Sequence, residues 1–209
     1  MEKEIKIITL GESGVGKTSI INRICSNSFN VKEHCTLGVE FNYLTKTYTK
    51  KNMKMKLNFI DTAGQELFMN ILPTQYIRDS NIVLLVFSNL TNLEILKNRW
   101  FHFYKENANT EKTKFILIGN KSDIFGIYKD EIKELGEKFA EEIDSFFITC
   151  SAKSEDNIDN LVNHILTEAK RLIDEEEKDN LFDINDPDKR NTFKMEEKDI
   201  KLTTKKSCC

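Results

Sequence analysis

Residues 11–18 have the composition of a loop that binds phosphate groups. They read Gly11-Glu12-Ser13-Gly14-Val15-Gly16-Lys17-Thr18, which satisfies the pattern G-x-x-x-x-G-K-S/T, and Ser19 follows them. The glycines let successive backbone N–H groups point inward, and Lys17 brings a positive charge to the outer phosphates. Thr18 is left to offer its hydroxyl to Mg²⁺. The alternative, a glycine-rich turn without a ligand, is disfavoured because a predicted strand precedes the loop and a predicted helix follows it.

Two later segments could distinguish the base of a nucleotide. Asn120-Lys121-Ser122-Asp123 directly follows an apolar run at residues 115–119. An aspartate at this place can accept hydrogen bonds from the ring N–H and the exocyclic amino group of guanine. Adenine has an acceptor at the ring position and would leave the carboxylate unpaired. Ser151-Ala152-Lys153 would bring a backbone N–H to the guanine oxygen, so the two segments predict GTP or GDP as the ligand.

A further segment has residues suited to cleaving the terminal phosphate. Asp61-Thr62-Ala63-Gly64-Gln65 ends the second strand of a predicted hairpin. Asp61 can hold Mg²⁺ through water, and Gly64 has no side chain to keep the backbone from the third phosphate. Gln65 can orient a water for in-line attack, while Lys17 stabilises charge on the transferred group. We therefore expect GTP hydrolysis with Lys17 and Gln65 as catalytic residues and without a protein nucleophile.

The elements that must position these residues alternate between strands and helices. Residues 4–10 are an apolar-rich run before the loop, and a helix is expected to begin near Lys17. Residues 41–61 alternate between apolar and polar side chains around a turn at 50–52, which predicts an antiparallel hairpin. Short apolar runs predict buried parallel strands at residues 82–87, 115–119 and 146–149. The expected fold is α/β, with a six-stranded, mixed, mostly parallel sheet and helices on both faces.

The last part of the chain differs in composition from the rest. A helix with one apolar face is predicted at residues 155–173, and the apolar spacing stops there. A charge run at 174–179 follows, and the apolar residues after it are too sparse to offset the entropy of ordering the chain. We predict a domain over residues 1–173 and a flexible tail over residues 174–209, which ends in Cys208-Cys209.

The overall charge of the chain is close to balanced. It has 209 residues, with 31 Lys and Arg against 34 Asp and Glu, so the formal net charge is -3. No overall basic field favours a nucleic-acid partner. The first residues lack the apolar core of a signal peptide, and no run reaches the roughly 18 apolar residues of a membrane span. We therefore expect a cytosolic protein without a nucleic-acid partner.

Together these motifs resemble the small GTPases of the Ras superfamily over about residues 4–173. Within that superfamily the chain is most similar to the Rab family. Three features carry this likeness: residues 36–41, which read Thr-Leu-Gly-Val-Glu-Phe, the serine at the third place of the phosphate loop, and the closing Ser207-Cys208-Cys209. The resemblance implies the P-loop NTPase fold of a small GTPase domain. It also implies a switch that binds and hydrolyses GTP and regulates vesicle-mediated membrane traffic.

The resemblance also implies roles for individual residues. Thr36 would ligate Mg²⁺ and contact the γ-phosphate when GTP is bound, and Phe29 would pack beside the purine. Loss of the γ-phosphate would release the loops at Thr36 and Gly64. Cys208 and Cys209 would both carry geranylgeranyl groups, because one lipid chain gives only marginal membrane binding.

Several partners follow from the same resemblance. They are an exchange factor, a GTPase-activating protein, effectors, a prenylation escort and a GDP-dissociation inhibitor. The protein would be a monomer that cycles from the cytosol onto the cytoplasmic face of an intracellular membrane through its C-terminal lipids. Its hydrolysis would be slow without an activating protein.

Three features depart from the Rab pattern. Ile60 stands where Rabs usually place a tryptophan before the Asp61 segment. Residues 67–78 differ from the family pattern and hold one extra residue before Tyr76-Ile77-Arg78, and another extra residue lies within 88–92. These changes fall on the surface that reads partner proteins, and they leave the nucleotide-binding motifs intact.

Three other functions are consistent with parts of the sequence. The chain could be a GTP-binding scaffold with little hydrolysis, which Gln65 disfavours, or a small GTPase of another branch of the Ras superfamily. A P-loop kinase or ATPase acting on small substrates is disfavoured by Asp123, because that residue selects guanine.

Overall fold

The computed structural model describes residues 2–31, 36, 39–48, 53–62, 74–108, 110 and 113–185. Within these residues the chain forms a six-stranded sheet with the order β2-β3-β1-β4-β5-β6. Its strands are β1 (Glu2–Leu10), β2 (Val39–Tyr48), β3 (Met53–Thr62), β4 (Ile82–Phe87), β5 (Lys114–Gly119) and β6 (Phe146–Thr149). Neighbouring strands are parallel except β2 and β3, which are antiparallel. The predicted α/β fold with a mixed, mostly parallel sheet is confirmed.

Helices connect the strands of the sheet. They are α1 (Lys17–Ser26), α2 (Thr74–Arg78), α3 (Leu90–Ile95), α4 (His102–Asn107), α5 (Lys129–Glu142) and α6 (Ile158–Asn185). A π-helical stretch, Leu96–Phe101, joins α3 to α4. Two 3₁₀ turns, Ser122–Ile124 and Gly126–Tyr128, lie between β5 and α5. None of the helices in the described part of the chain has the length and apolar composition to cross a membrane.

Burial explains why the strands differ in their sequence patterns. All six side chains of β4 are buried, and β1 is buried from Ile7 to Leu10, so both strands read as apolar runs. By contrast, β2 at the edge of the sheet is mostly exposed, and β3 buries the predicted apolar positions. Each large apolar side chain removed from water contributes about 1.5–3 kcal/mol. This packing brings the carboxyl ends of β1, β3, β4, β5 and β6 to one edge of the sheet, where ligands bind in α/β folds.

Two segments that depart from the Rab pattern have definite structure in their described parts. Asn89 is the N-cap of α3, and its Oδ1 accepts a hydrogen bond from the backbone N–H of Asn92 at 2.8 Å. Helix α2 holds the last part of segment 67–78, and its Ile77 is fully buried. The remainder of that segment, residues 67–73, lies outside the described residues.

The last helix continues past its predicted end. The apolar spacing predicted a helix over residues 155–173, whereas α6 runs from Ile158 to Asn185; both predicted ends are wrong. Glu155 and Asn157 have positive φ angles, which prevents a helical start before Ile158. Beyond Ile173 the chain continues with Asp174 and three glutamates at residues 175–177, and glutamate favours a helix even without an apolar face. Arg171 Nε also donates to Glu175 Oε1 at 3.1 Å, one turn later.

The chain divides into two units by its internal contacts. The first is Met1–Ala169, and the second begins at Lys170. The division into a domain over residues 1–173 and a flexible tail over residues 174–209 stays a prediction, although the first part of that tail, up to Asn185, is helical.

Candidate functional site

Two glycines shape the loop between β1 and α1. Gly11 has a φ of 147°, and a Cβ atom there would lie 2.1 Å from the carbonyl oxygen of Val86 on β4. Gly16 caps α1 with a φ of 93°, and a Cβ atom there would lie 2.3 Å from Nδ2 of Asn120. Only glycine fits both positions, because each combines a positive φ with a close neighbour. The loop therefore passes tightly over the ends of β4 and β5.

Lys17 is buried in the first turn of α1. Its side chain curls back so that Nζ donates to the carbonyl oxygens of Gly11 at 2.9 Å and Glu12 at 3.0 Å. Burial lowers the pKa of the Lys17 ammonium from 10.5 to about 8, although the negative charges of Asp61 and Glu12 act in the opposite direction. The loop thus encloses a cation whose charge is only partly compensated by the protein.

Three oxygen-bearing side chains meet beside that lysine. The Thr18 hydroxyl donates to Asp61 Oδ2 at 2.6 Å and lies 2.8 Å from the Thr36 hydroxyl, which is itself 3.5 Å from Asp61 Oδ2. Asp61, near the end of β3, is fully buried, and its Oδ1 has no hydrogen-bond partner among the described residues. Burial raises the pKa of the Asp61 carboxyl, although hydrogen bonds from the two threonines oppose that shift.

Asn120 ties the phosphate loop to the two segments expected to read the base. Its Nδ2 donates to the carbonyl oxygen of Val15 at 2.8 Å, and its Oδ1 accepts from the backbone N–H of Ala152 at 3.2 Å. The next residue, Lys121, has a φ of 65° and donates from Nζ to the carbonyl oxygen of Gly14 at 2.6 Å. Segments that are about 100 residues apart in the chain therefore form one connected structure.

Asp123 is oriented by a serine from the next loop. Its Oδ1 accepts a hydrogen bond from Ser151 Oγ at 2.6 Å, and the aspartate itself is exposed. Ser151 is fully buried and is fixed in turn by the backbone N–H of Ser154, which donates to its Oγ at 3.1 Å. The carboxylate is therefore held in one orientation at an open surface.

These segments surround a cavity of about 340 Å³. The predicted site residues that line it are Ser13, Gly14, Gly16, Lys17, Thr18, Ser19, Phe29, Thr36, Asn120, Lys121, Asp123, Ala152 and Lys153. Residues from the phosphate loop, from the loop after β5 and from the loop after β6 thus face one space. Its size suits a ligand of several rings and phosphates.

Two comparisons with known proteins agree with this geometry. The profile of the Ras family matches residues 6–171. The chain belongs to the Ras family. It is 36% identical over 173 residues to the Ras-related protein SEC4 of Saccharomyces cerevisiae, and the alignment covers 82% of this chain and 75% of that protein. The prediction of a Rab-like small GTPase that binds GTP and GDP and hydrolyses GTP is confirmed.

Some predicted site residues of this GTPase do not line the cavity. Gly11, Val15 and Ser151 are buried, and Asp61 is also buried but bonds to Thr18, which does line the cavity. Other predicted residues lie outside the described part of the chain, namely Gly64, Gln65, Cys208 and Cys209.

Glu12 also does not line the cavity, so its predicted contact with the ligand stays a prediction. Its Oε1 accepts a hydrogen bond from Trp100 Nε1 at 2.8 Å and lies 3.8 Å from Nη1 of Arg99. Both partners belong to the π-helical stretch, a conformation that often marks functional positions. The side chain of Glu12 therefore anchors the phosphate loop to a neighbouring helix, while its backbone carbonyl holds Lys17.

The sequence motifs missed several residues of this GTPase's site. Four further residues line the cavity: Asn30, Val31, Thr62 and Ile124. Each is within two positions of a predicted residue, so proximity in the chain was an available signal. No comparable signal existed for Trp100, which is 88 residues from its partner Glu12.

We expect Gly16→Ala to abolish tight nucleotide binding. The new methyl group would overlap Nδ2 of Asn120, and an overlap of this kind costs on the order of 3 kcal/mol. The affinity for a fluorescent GDP analogue should therefore fall roughly a hundredfold in an equilibrium titration. Gly126→Ala is the matched control, because Gly126 also has a positive φ but has open space around it. Equal affinities of the two variants would contradict the prediction.

Proposed function

We propose that this GTPase is a Mg²⁺-dependent switch that cycles onto membranes and regulates vesicle traffic. The observation that carries this proposal is the buried carboxylate of Asp61: its Oδ2 contacts two threonine hydroxyls, and its Oδ1 has no partner within the described part of the chain. An isolated buried carboxylate is costly, so this arrangement favours a bound cation. The chemistry of the donor set, which consists of oxygens only, fits Mg²⁺.

Each threonine has a distinct role in the proposed cation site. Thr18 supplies an oxygen from the rigid first turn of α1, whereas Thr36 comes from the segment before β2. Mg²⁺ supplies positive charge to the phosphate oxygens when it is bound. Asp61 would hold Mg²⁺ through water, and its bond to Thr18 would orient that hydroxyl. Because Thr36 reaches the site from a different element, its contact can depend on which nucleotide is bound.

Lys17 and the backbone of residues 11–18 are proposed to hold the phosphates. The Lys17 ammonium is already desolvated and directed by two carbonyl oxygens, so little reorganisation is needed when phosphate oxygens replace them. Asp123 would accept hydrogen bonds from guanine, with Ser151 fixing its orientation. Ala152 and Lys153 would face the other edge of the base, and Phe29 would cover its plane.

Hydrolysis is proposed to need Gln65 and Gly64, which follow β3 in the chain. Asp61 is near the end of that strand, so residues a few positions later can reach the terminal phosphate. Gln65 would orient the attacking water and Gly64 would bring a backbone N–H to the γ-phosphate. We propose that hydrolysis is slow alone, and that an arginine from an activating protein would accelerate it by roughly 10³ to 10⁵.

The regulatory partners follow from the Rab-like character of the chain. We propose an exchange factor, an activating protein, effectors, a prenylation escort and a GDP-dissociation inhibitor. Exposed aromatic side chains at Phe41 and Tyr43 on β2, next to the Thr36 segment, support an effector surface there. The protein would act as a monomer.

The proposed switch can be tested by the dependence of GDP release on Mg²⁺. Wild-type protein should release GDP slowly in Mg²⁺ and rapidly after chelation. Asp61→Asn should release GDP roughly 10–100-fold faster in Mg²⁺, because neighbours that orient metal ligands change metal affinity by that factor. Chelation of Mg²⁺ should then increase the GDP release rate of this variant only slightly. An Asp61→Asn variant that remains as sensitive to chelation as the wild type would overturn the cation site.

Gln65→Leu is the matched variant for the same experiment. It should leave GDP release within about twofold of wild type and lower single-turnover GTP hydrolysis by at least about tenfold, because only water positioning is removed. Unchanged hydrolysis would contradict the role of Gln65, whereas negligible hydrolysis by the wild type itself, with and without an activating protein, would favour the alternative of a GTP-binding scaffold.

Nucleotide binding should be accompanied by proton uptake, and the number of protons taken up should increase with pH. In the free protein the pKa of Lys17 is about 8, and contact with phosphate favours the charged form and raises that pKa. At pH values above the pKa of Lys17 in the free protein, nucleotide binding must therefore add a proton to Lys17. The affinity for the nucleotide then falls by at most about tenfold per pH unit. Calorimetry in two buffers of different ionisation enthalpy should show proton uptake growing between about pH 7 and 8.5. Uptake that stays constant over that range would contradict the role of Lys17.

The proposed membrane attachment makes a chemical prediction for the C-terminus. Because two lipid chains are needed for stable anchoring, both Cys208 and Cys209 should be geranylgeranylated in the native cell. Intact-mass spectrometry of the purified protein should detect both groups, and Cys208→Ser/Cys209→Ser should detach from sedimented membranes. Unmodified thiols at both positions would rule out this mode of anchoring.

A further inference from the structure

Arg23 occupies a central position at the end of α1. It lies in the last turn of the helix, and only 9% of its side chain is exposed, although its partner Glu155 is 60% exposed. Arg23 does not line the nucleotide cavity. Its contacts nevertheless reach two residues that do, Ala152 and Phe29.

The first group of contacts joins α1 to the loop after β6. Arg23 Nε donates to the carbonyl oxygen of Ala152 at 3.0 Å. Its Nη1 donates to Glu155 Oε1 at 2.8 Å, further along the same loop. The two contacts hold residues 151–155 against the helix that begins in the phosphate loop. Since the partners are separated by 129 and 132 positions, this link is purely tertiary.

The second group of contacts fixes the chain as it leaves α1. Nη1 of Arg23 also donates to the carbonyl oxygen of Asn27 at 3.1 Å. Asn27 has a φ of 50° and ends the helix, so the guanidinium stabilises the turn that redirects the chain. Two positions later, the ring of Phe29 lies with its centroid 5.8 Å from the guanidinium carbon, within the range of a cation–π contact.

We propose that Arg23 is a positioning residue that keeps Phe29 and the 151–153 loop together around the guanine base and thereby slows nucleotide release. This inference rests on the proposed placement of guanine between Asp123, Ala152 and Phe29. One planar guanidinium donates to the carbonyl oxygens of Ala152 and Asn27 and contacts the ring of Phe29. A lysine ammonium cannot make these three contacts in the same geometry. Among the residues that the structure describes, Arg23 bonds to neither Lys17 nor the hydroxyls of Thr18 and Thr36, so hydrolysis of bound GTP should not depend on it.

The test is the rate of GDP release from the full-length protein. Arg23→Gln should release a fluorescent GDP analogue roughly tenfold faster, which corresponds to about 1.4 kcal/mol. Arg23→Lys keeps the charge but loses the planar fork, so its rate should lie between those of wild type and Arg23→Gln. Single-turnover hydrolysis of bound GTP should stay within about twofold of wild type in both variants.

Two matched variants control for the loss of charge. Glu155→Gln removes an exposed ion pair of Arg23 but leaves Ala152 and Phe29 in place, so release should change by less than about twofold. Arg171→Gln removes an exposed arginine that pairs with Glu175 outside the site, and it should have no effect. A rate for Arg23→Gln within twofold of wild type, or equal acceleration by Arg171→Gln, would overturn the proposal.

A double-mutant cycle distinguishes positioning of the base from a general loss of structure. Arg23→Gln and Phe29→Leu act at the same end of the ligand. The double variant should therefore accelerate GDP release by less than the product of the two single fold-changes. Arg23→Gln and removal of Mg²⁺ act at opposite ends, so their effects should multiply. Multiplicative effects of the two substitutions would contradict the role of Arg23. If Arg23→Gln fails to fold, Arg23→Lys carries the same cycle.

Failure of this inference can be separated from failure of the guanine site itself. Competition between GDP and ADP for the wild-type protein reports the guanine site without involving any variant. Preference for GDP together with an unchanged release rate in the Arg23 variants refutes the role of Arg23 alone. Absence of that preference refutes the proposed base site, and with it the basis of the inference.

Discussion

Two opposite charges are buried at one edge of the sheet, and the arrangement of the site depends on them. Lys17 follows β1 and Asp61 lies near the end of β3, and these two strands are parallel neighbours. Both groups are almost fully removed from water, with pKa shifts dominated by the cost of burial. The protein compensates them only in part, through carbonyl oxygens on the lysine and hydroxyls on the aspartate. A phosphate beside the lysine and a cation beside the aspartate would complete that compensation, so ligand binding and local stability are linked.

Side chains from distant parts of the chain connect the loops around the cavity, and of these only Asn120 lines the cavity itself. Asn120 joins the loop after β5 to both the phosphate loop and the loop after β6. Arg23 connects α1 to the same final loop, and Trp100 binds the second residue of the phosphate loop. Because these bonds are buried or partly buried, they lose less strength to solvent than surface contacts do. The loops are therefore positioned by the body of the domain rather than by their own conformations.

Features that depend on neighbouring residues in the chain were predicted from the sequence more accurately than features that depend on contacts between distant segments. Strand β4 was predicted to the residue, because a buried parallel strand requires a short apolar run. The apolar run of β6 also gave its bounds to the residue, although only Ile148 of this edge strand is buried. The start of α1 was predicted because the phosphate loop pattern includes its first residues. The end of α6 was wrong, since apolar spacing reports packing and not the helix propensity of the glutamate-rich continuation. The phosphate loop motif gives no information about which way the Glu12 side chain points, and the contact of Glu12 with the ligand stays a prediction.

The amino-acid sequence alone determined the fold class and the likeness to Rab-type GTPases, and it singled out the phosphate loop motif and the aspartate proposed to select guanine. Each of these depends on residue types at short spacing, where backbone geometry dictates what neighbouring residues can do. Only the tertiary structure decided that Asp61 keeps a buried oxygen without a partner among the described residues, that Glu12 turns toward Trp100 and that Arg23 joins Ala152 to Phe29. Those facts depend on contacts between segments far apart in the chain, and such contacts arise only when the sheet and its helices pack together.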